Sequence, residues 1–180
     1  MDANQPLDHR KINIAPLGSQ HSIDAFRCGV DEIDEWARKY ASKFNAINRI
    51  RVFCAHEHAS SSVLGLYCLS FLSKETKRLR GDYNFYRNTG IPLIFITYIA
   101  VLRSIQRQKL GSALLVDALR RSYHVAEHVG FFGVGLRALN DDTARLYSRY
   151  GFTKVDENAH PLMLLPMQSL VDLFGPHGHR

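Results

Sequence analysis

One stretch constrains the fold more than any other, and it runs from Pro92 to Gly130. It opens on an apolar run, Pro92-Leu-Ile-Phe-Ile-Thr-Tyr-Ile-Ala-Val101, and passes through a short basic turn, Leu102-Arg-Ser-Ile-Gln-Arg-Gln-Lys109. Leu110-Gly-Ser-Ala-Leu-Leu-Val-Asp-Ala-Leu119 follows. The first part is β-branched and aromatic, is bounded by turn signals and does not alternate, which predicts a central strand covered on both faces. The last part carries apolar residues at Leu114, Leu115, Ala118, Val125, Ala126 and Val129, spaced by three or four, which predicts a helix reaching towards Gly130. A strand that feeds a helix through a tight turn leaves the first helical N–H groups without partners. Those groups and the helix dipole suit an anion such as a phosphate. Gly111 and Ser112 stand where backbone would come close to such a ligand, and Arg107 and Lys109 add positive charge. The turn is not a P-loop, because no Gly-Lys-Ser/Thr closes it, and its glycine spacing is not that of a dinucleotide-binding fold. Simple βα packing explains the segment equally well when it is taken alone.

A second stretch sharpens the reading. Asn140-Asp-Asp-Thr-Ala-Arg-Leu-Tyr147-Ser-Arg-Tyr-Gly151-Phe152 follows a short apolar segment, Phe131 to Leu136. Gln106-x-x-x-x-Gly111-x-Ala113 together with Asn140-x-x-Ala144-x-x-Tyr147 and Tyr150-Gly151-Phe152 resembles the GNAT acetyltransferase superfamily. Phe26-Arg-Cys-Gly29, followed by a helix containing Trp36, resembles one branch of it, the acetyltransferase toxins of toxin–antitoxin pairs. The resemblance spans roughly Ile12 to Met167. It implies an α/β (α+β) GNAT fold: a mixed, mostly antiparallel central sheet, splayed between two parallel strands and flanked by helices.

The resemblance also implies a site for acetyl-CoA. The backbone of Ile99 and Val101 would pair with its pantetheine arm as a strand does. The pyrophosphate would rest on the stretch Gln106, Arg107, Gln108, Lys109, Leu110, Gly111, Ser112 and Ala113. Asn140 would hold the arm from the other side, and Tyr147 would be the acid for the leaving thiolate. Taken without the resemblance, Tyr147 reads as a core aromatic on an amphipathic helix. Thr97 and Tyr98 fill positions where many GNAT enzymes carry Glu, and no general base is evident. That suits an α-amino group, which titrates near ~7.7–8.0, better than a lysine amine near ~10.4. The implied acceptor is the α-amino group of aminoacyl-tRNA, whose acetylation blocks translation. The implied partners are a ribbon-helix-helix antitoxin and a second copy of the chain. Two departures are visible: Lys109 stands where the family's phosphate loop has Gly, and Tyr98 where the toxin branch has Arg.

Composition bounds the rest. The 180 residues suggest one domain over 1–180, with a disordered tail at about 175–180. No apolar run approaches the ~20 residues of a membrane span and no secretory signal is visible, so a cytoplasmic protein without a membrane partner is expected. Cys28, Cys54 and Cys68 are odd in number and unpaired in spacing, which points to buried thiols in a reducing compartment. No metal is expected: His56 with His58, and His124 with His128, lack further ligands. A net charge of +6 favours a polyanionic partner. Arg38, Lys77, Arg78, Arg80 and Arg87 are the candidates for contact with tRNA, Arg38 being equally explained as a solvated face. Tyr83-Asn-Phe-Tyr86-Arg87 interleaves rings and charge, which suits base stacking or rings packed over a sheet edge. Two other readings stay open: a GNAT enzyme acting on a small amine or a protein N-terminus, and a binding module whose Lys109 has closed the cofactor loop.

Overall fold

The structure is a computed structural model, and it describes residues 6–58, 60–75, 79–81 and 83–176. The strands are β1 (Ile12–Pro16), β2 (Arg51–Glu57), β3 (Gly65–Lys74), β4 (Ile91–Val101), β5 (Gly133–Arg137), β6 (Thr153–Lys154) and β7 (Leu162–Pro166). They form a seven-stranded sheet in the order β1-β2-β3-β4-β5-β7-β6. The helices are α1 (Asp31–Trp36), α2 (Ser42–Ala46), α3 (Leu110–Val125), α4 (Asp141–Ser148) and α5 (Met167–Phe174). Sheet and helices together make the mixed, mostly antiparallel α/β architecture expected from the sequence.

The apolar run from Pro92 becomes β4, fourth in the seven-strand order, and its lack of polar–apolar alternation is explained by that central place. β4 pairs in parallel with β5 from Leu93↔Gly133 to Ile96↔Leu136. Among the described residues that ladder ends there, while β4 runs on to Val101. The other described ladders, β1 with β2, β2 with β3, β5 with β7 and β6 with β7, are antiparallel. Gly133 is demanded by packing: a Cβ there would stand 2.1 Å from the Leu165 carbonyl oxygen.

The chain gathers into two compact units, Met1–Leu69 with Tyr98–Ala118, and Ser70–Thr97 with Leu119–Arg180. In the first, Phe26, Cys28, Ala37, Ala41, Cys54 and Cys68 belong to one buried cluster, with Trp36 and Tyr98 packed against it. α1 continues through a π turn (Ala37–Ala41) into α2, so the helix expected to contain Trp36 is present with one wide turn in its middle. Trp36 and Tyr98 lie with ring centroids 4.7 Å apart. All three cysteines are free and buried, and burial pushes the Cys28 and Cys54 thiols up to about 11.

In the second unit Ile91, Leu93, Val155, Leu162 and Leu164 form a buried cluster. Tyr83 and Tyr86 set their rings edge-on to Phe132, at 5.5 and 5.8 Å, so these two rings pack over the sheet. Phe85 is 89% exposed. α3 stops at Val125 rather than near Gly130, and Val129 is exposed. The chain tightens there: the Ala126 N–H donates to the Tyr123 carbonyl three residues back, and His128 does the same to Val125. Residues 177–180 of the expected tail lie outside the described residues. Among the described residues no helix is long and apolar enough to cross a membrane, and no group of three or more metal-ligating side chains forms.

Candidate active site

The turn before α3 is built from strained backbone. Arg107 and Lys109 have φ of 63° and 64°, the left-handed region that side chains disfavour. This explains why a glycine suits the position of Lys109. Here the lysine adopts the glycine-like conformation, and its exposed side chain leaves the backbone of the turn intact. Among the described residues the N–H groups of Arg107, Lys109, Leu110, Gly111 and Ser112 meet no acceptor, while Gln108 closes a tight turn over Gln106 and Arg107. The Ala113 N–H is already engaged, donating to the Lys109 carbonyl at 3.1 Å. Gly111 needs no glycine for its own packing: a Cβ there would meet only a Val101 methyl, at 3.7 Å. A row of free donors, two cations and an open glycine fit an anionic group lying against the backbone. The turn therefore fits the pyrophosphate of acetyl-CoA.

Its two glutamines bond back onto the protein. Gln106 Nε2 donates to the Cys28 carbonyl at 2.7 Å and to the Val101 carbonyl at 3.1 Å, which ties the turn to the end of β4. Gln108 Oε1 accepts from the Leu7 N–H at 2.5 Å, and the Gln108 carbonyl lies 2.7 Å from His9 Nε2. Gln106 and Gln108 thus brace the turn through their side chains. On β4, half-buried Ile99 and Val101 fall in the part that extends past the β5 ladder. The Thr97 and Ser70 hydroxyls lie 3.2 Å apart, and the Tyr98 hydroxyl donates to Glu32 at 3.2 Å. Burial, and then the Glu32 carboxylate, raise the Tyr98 pKa, so this phenol is no base at neutral pH.

The turn is itself backed by Phe26-Arg-Cys-Gly29. Phe26 is buried, and Gly29 has φ of 89°, which favours glycine. The Cys28 N–H donates to Asp34 Oδ1 at 2.6 Å and the Gly29 N–H to Asp34 Oδ2 at 3.2 Å. Asp34 is 5% exposed. Burial works to raise its pKa, and the amides of Cys28 and Gly29 overcome that and hold it below the usual carboxylate value. Sequence reasoning missed Asp34, because one acid inside an acidic helix start looks like a dipole partner. Its spacing from the Cys-Gly pair was the signal available.

In the other unit, Asn140 and Tyr147 sit on α4. Asn140 caps the helix: its Oδ1 accepts from the Thr143 N–H at 2.9 Å, and Thr143 Oγ1 accepts from the Asn140 N–H at 3.0 Å. The asparagine therefore has a structural task whatever else it holds. Tyr147 is buried, with its ring centroid 6.0 Å from that of Phe152. Its hydroxyl has no hydrogen-bond partner among the described residues, and no fully buried side-chain oxygen there is left unpaired, so the hydroxyl reaches open space. Burial pushes its pKa up to about 12. The phenol is protonated at every physiological pH, so it has a proton to donate and is no base.

The surface cations are dispersed. Arg38 Nε donates to the Asp34 carbonyl at 3.0 Å and Arg80 pairs with Glu157 at 2.8 Å, while Arg87 is exposed. Lys77 and Arg78 lie outside the described residues.

A seven-stranded mixed sheet, with β4 outrunning its parallel neighbour and a donor-rich turn before α3, defines a protein of the GNAT fold. Comparison with known proteins narrows the class. No protein-family model matches the chain. A protein of Sinorhizobium fredii named a probable toxin TacT is 30% identical over 173 residues, covering 90% of this chain and 94% of its own. A tRNA-acetylating toxin of Mycobacterium tuberculosis is 27% identical over 149 residues, covering 83% of this chain and 89% of its own. Among solved structures, AtaTR bound with AcCoA superposes with a TM-score of 0.79 at 21% identity, over 92% of this chain and 99% of that one. AtaT complexed with acetyl-methionyl-tRNAfMet gives 0.80 at 21% identity, over 91% and 99%. A tyrosine-to-phenylalanine mutant of AtaT bound to the C-terminus of the antitoxin AtaR gives 0.78 at 20%, over 91% and 98%. The chain belongs to the GNAT-fold acetyltransferase toxins of toxin–antitoxin systems.

Proposed function

We propose that this protein acts as one acetyltransferase domain, moving an acetyl group from acetyl-CoA to the α-amino group of an aminoacyl-tRNA and so blocking translation. The observation that carries the reading is the open amides of Arg107 and of Lys109 through Ser112, in a chain of this family. When bound, acetyl-CoA supplies the acetyl group as a thioester. Arg107, Lys109 and the amides through Ser112 hold its phosphates, and the backbone of Ile99 and Val101 extends the sheet to the pantetheine arm. A β4 N–H meets the negative charge that grows on the carbonyl oxygen as the amine attacks. The C–S bond breaks as the C–N bond forms; the nitrogen sheds one proton and the sulfur takes one up. Tyr147 donates to the sulfur. Its pKa of about 12 lies above the ~8.5 of an ordinary thiol, so the phenol acts mainly as a hydrogen-bond donor while charge leaves on sulfur, rather than as a strong acid.

The acceptor reading is supported by the +6 charge and by β4, where Thr97 and Tyr98 provide no base. An α-amino group is largely neutral near pH 8 and needs none. Arg38, Lys77, Arg78, Arg80 and Arg87 contact the tRNA in this reading. Arg80 then exchanges Glu157 for a phosphate, an exposed pair worth little in water. A ribbon-helix-helix antitoxin, a homodimer and a cytoplasmic site of action belong to the same proposal. The test is acetyl transfer to charged, uncharged and deaminated aminoacyl-tRNA at two salt concentrations. Transfer is expected only to the charged form. Affinity should fall with salt at a log–log slope of about −0.7 for each single-strand phosphate contacted. Free amino acids or polyamines acetylated as fast, without salt dependence, would promote the small-amine reading.

A further inference from the structure

We propose that Asp34 is a positioning residue for the phosphate-binding turn, acting through a single peptide group. This inference rests on acetyl-CoA being the ligand of that turn. The peptide between Cys28 and Gly29 is bonded at both ends. Its N–H, on Gly29, donates to Asp34 Oδ2 at 3.2 Å. Its carbonyl, on Cys28, accepts from Gln106 Nε2 at 2.7 Å. The adjacent Cys28 N–H donates to the other carboxylate oxygen at 2.6 Å. An ionised acceptor on the N–H side polarises the peptide and makes its carbonyl a stronger acceptor on the other side. The negative charge of Asp34 therefore strengthens the hold on Gln106, the first residue of the turn.

The geometry leaves this peptide little freedom to do anything else. Buried Phe26 anchors one side of the loop, and Gly29, at φ 89°, turns the chain so that both amides face Asp34. A neighbouring bond runs the same way: the Arg103 N–H donates to the Arg27 carbonyl at 2.8 Å. Gln106 also reaches the Val101 carbonyl, so one amide group fixes the spacing between the end of β4 and the turn. Downstream, Arg107 and Lys109 hold left-handed backbone that their side chains disfavour, and such conformations persist only where surrounding structure imposes them. Asp34, the Cys28–Gly29 peptide and Gln106 supply that constraint at the turn's entrance. None of these side chains needs to touch the ligand.

The experiment measures coenzyme A binding by calorimetry, and KM and kcat with acetyl-CoA and a charged tRNA, for the full chain and for Asp34→Asn, Gln106→Leu and the double variant. Each single change is expected to weaken coenzyme A by about tenfold. The double variant should be no worse than either single one, because both break the same link. KM for acetyl-CoA should rise, while KM for the tRNA and kcat at saturation stay within about twofold. Losses that multiply to about a hundredfold in the double variant, or equal rises in both KM values, would overturn the proposal. Should Asp34→Asn fail to fold, Gln106→Leu decides alone, since that side chain is exposed. An unchanged affinity there overturns the proposal; a tenfold loss with an unchanged melting temperature sustains it. If the unaltered protein fails to bind coenzyme A, the assignment of the turn falls. If it binds and the variants bind equally well, only the role of Asp34 falls.

Discussion

At the scale of single residues, burial decides which chemistry is available. Tyr147 has its hydroxyl towards open space and its ring inside, and burial carries its pKa to about 12. Tyr147→Phe removes one oxygen and keeps the ring, so coenzyme A binding and the melting temperature should hold while acetyl transfer slows by roughly 10²–10³-fold, the loss of one donor to developing charge. The phenol's own titration should not appear in a rate profile between pH 6 and about 9. An unchanged turnover in the variant would return Tyr147 to a packing role. Asp34 and Asp156 are the complementary case. Burial opposes their charge, and hydrogen bonds from backbone amides, with Asn158 and Arg137 at Asp156, hold both below the ordinary value. A carboxyl whose folded pKa is depressed lends stability that is complete above its unfolded value near ~3.9 and is lost as pH falls through the folded one. The urea midpoint should therefore change little between pH 7 and about 5 and drop below about 4. Asp156→Asn should flatten that drop, and an equally steep fall in the variant would assign it to other groups.

At the scale of elements, the two stretches that stood out in the sequence are a turn and a cap. The turn is tied down by the side chains of Gln106 and Gln108, which bond to the Cys28 carbonyl and the Leu7 N–H. The cap shows how one residue can carry two tasks. Asn140 closes a capping box with Thr143, so an asparagine there needs no ligand to explain it. Asn140→Ala is expected to lower stability by about 1 kcal/mol, read from urea unfolding. Asn140→Asp keeps the cap and removes the amide NH₂. If the amide holds the pantetheine arm, only coenzyme A binding will suffer in that variant. Equal binding by the aspartate form would leave Asn140 as a cap alone.

At the scale of the whole molecule, charge and ligand linkage set what can be measured. An excess of Lys and Arg giving +6 draws the protein to polyanions in general, so binding to tRNA alone would prove little. Acetyl-CoA should stabilise the fold by linkage, by about 2.7 kcal/mol at a hundredfold excess over Kd, and so raise the melting temperature. No shift at millimolar ligand would favour the binding-module reading, in which Lys109 closes the loop. The left-handed backbone of Lys109, with its side chain exposed, speaks for an open loop.

The order of strands and helices was legible because the local signals are strong. The run from Pro92 to Val101 reads as a buried strand wherever it is placed, and Leu114, Leu115 and Ala118 mark one helical face. The turn at Gly111 and the helix beginning after Asn140 followed from the same residues. The end of α3 was overestimated, since Ala126 and Val129 continue the apolar spacing while the backbone has already tightened into turns. What no local pattern contains is the partner of a polar group across distant sequence. Gln106 meets Cys28, Gln108 meets Leu7, and Tyr98 meets Glu32 only once the chain has folded. The sequence by itself determined periodicity, and through it the elements, while the resemblance to the family rested on the motifs around Gly111 and Tyr147. Tertiary structure alone decided which amides stay free for a ligand, because a donor is free only where the folded backbone brings no acceptor within reach.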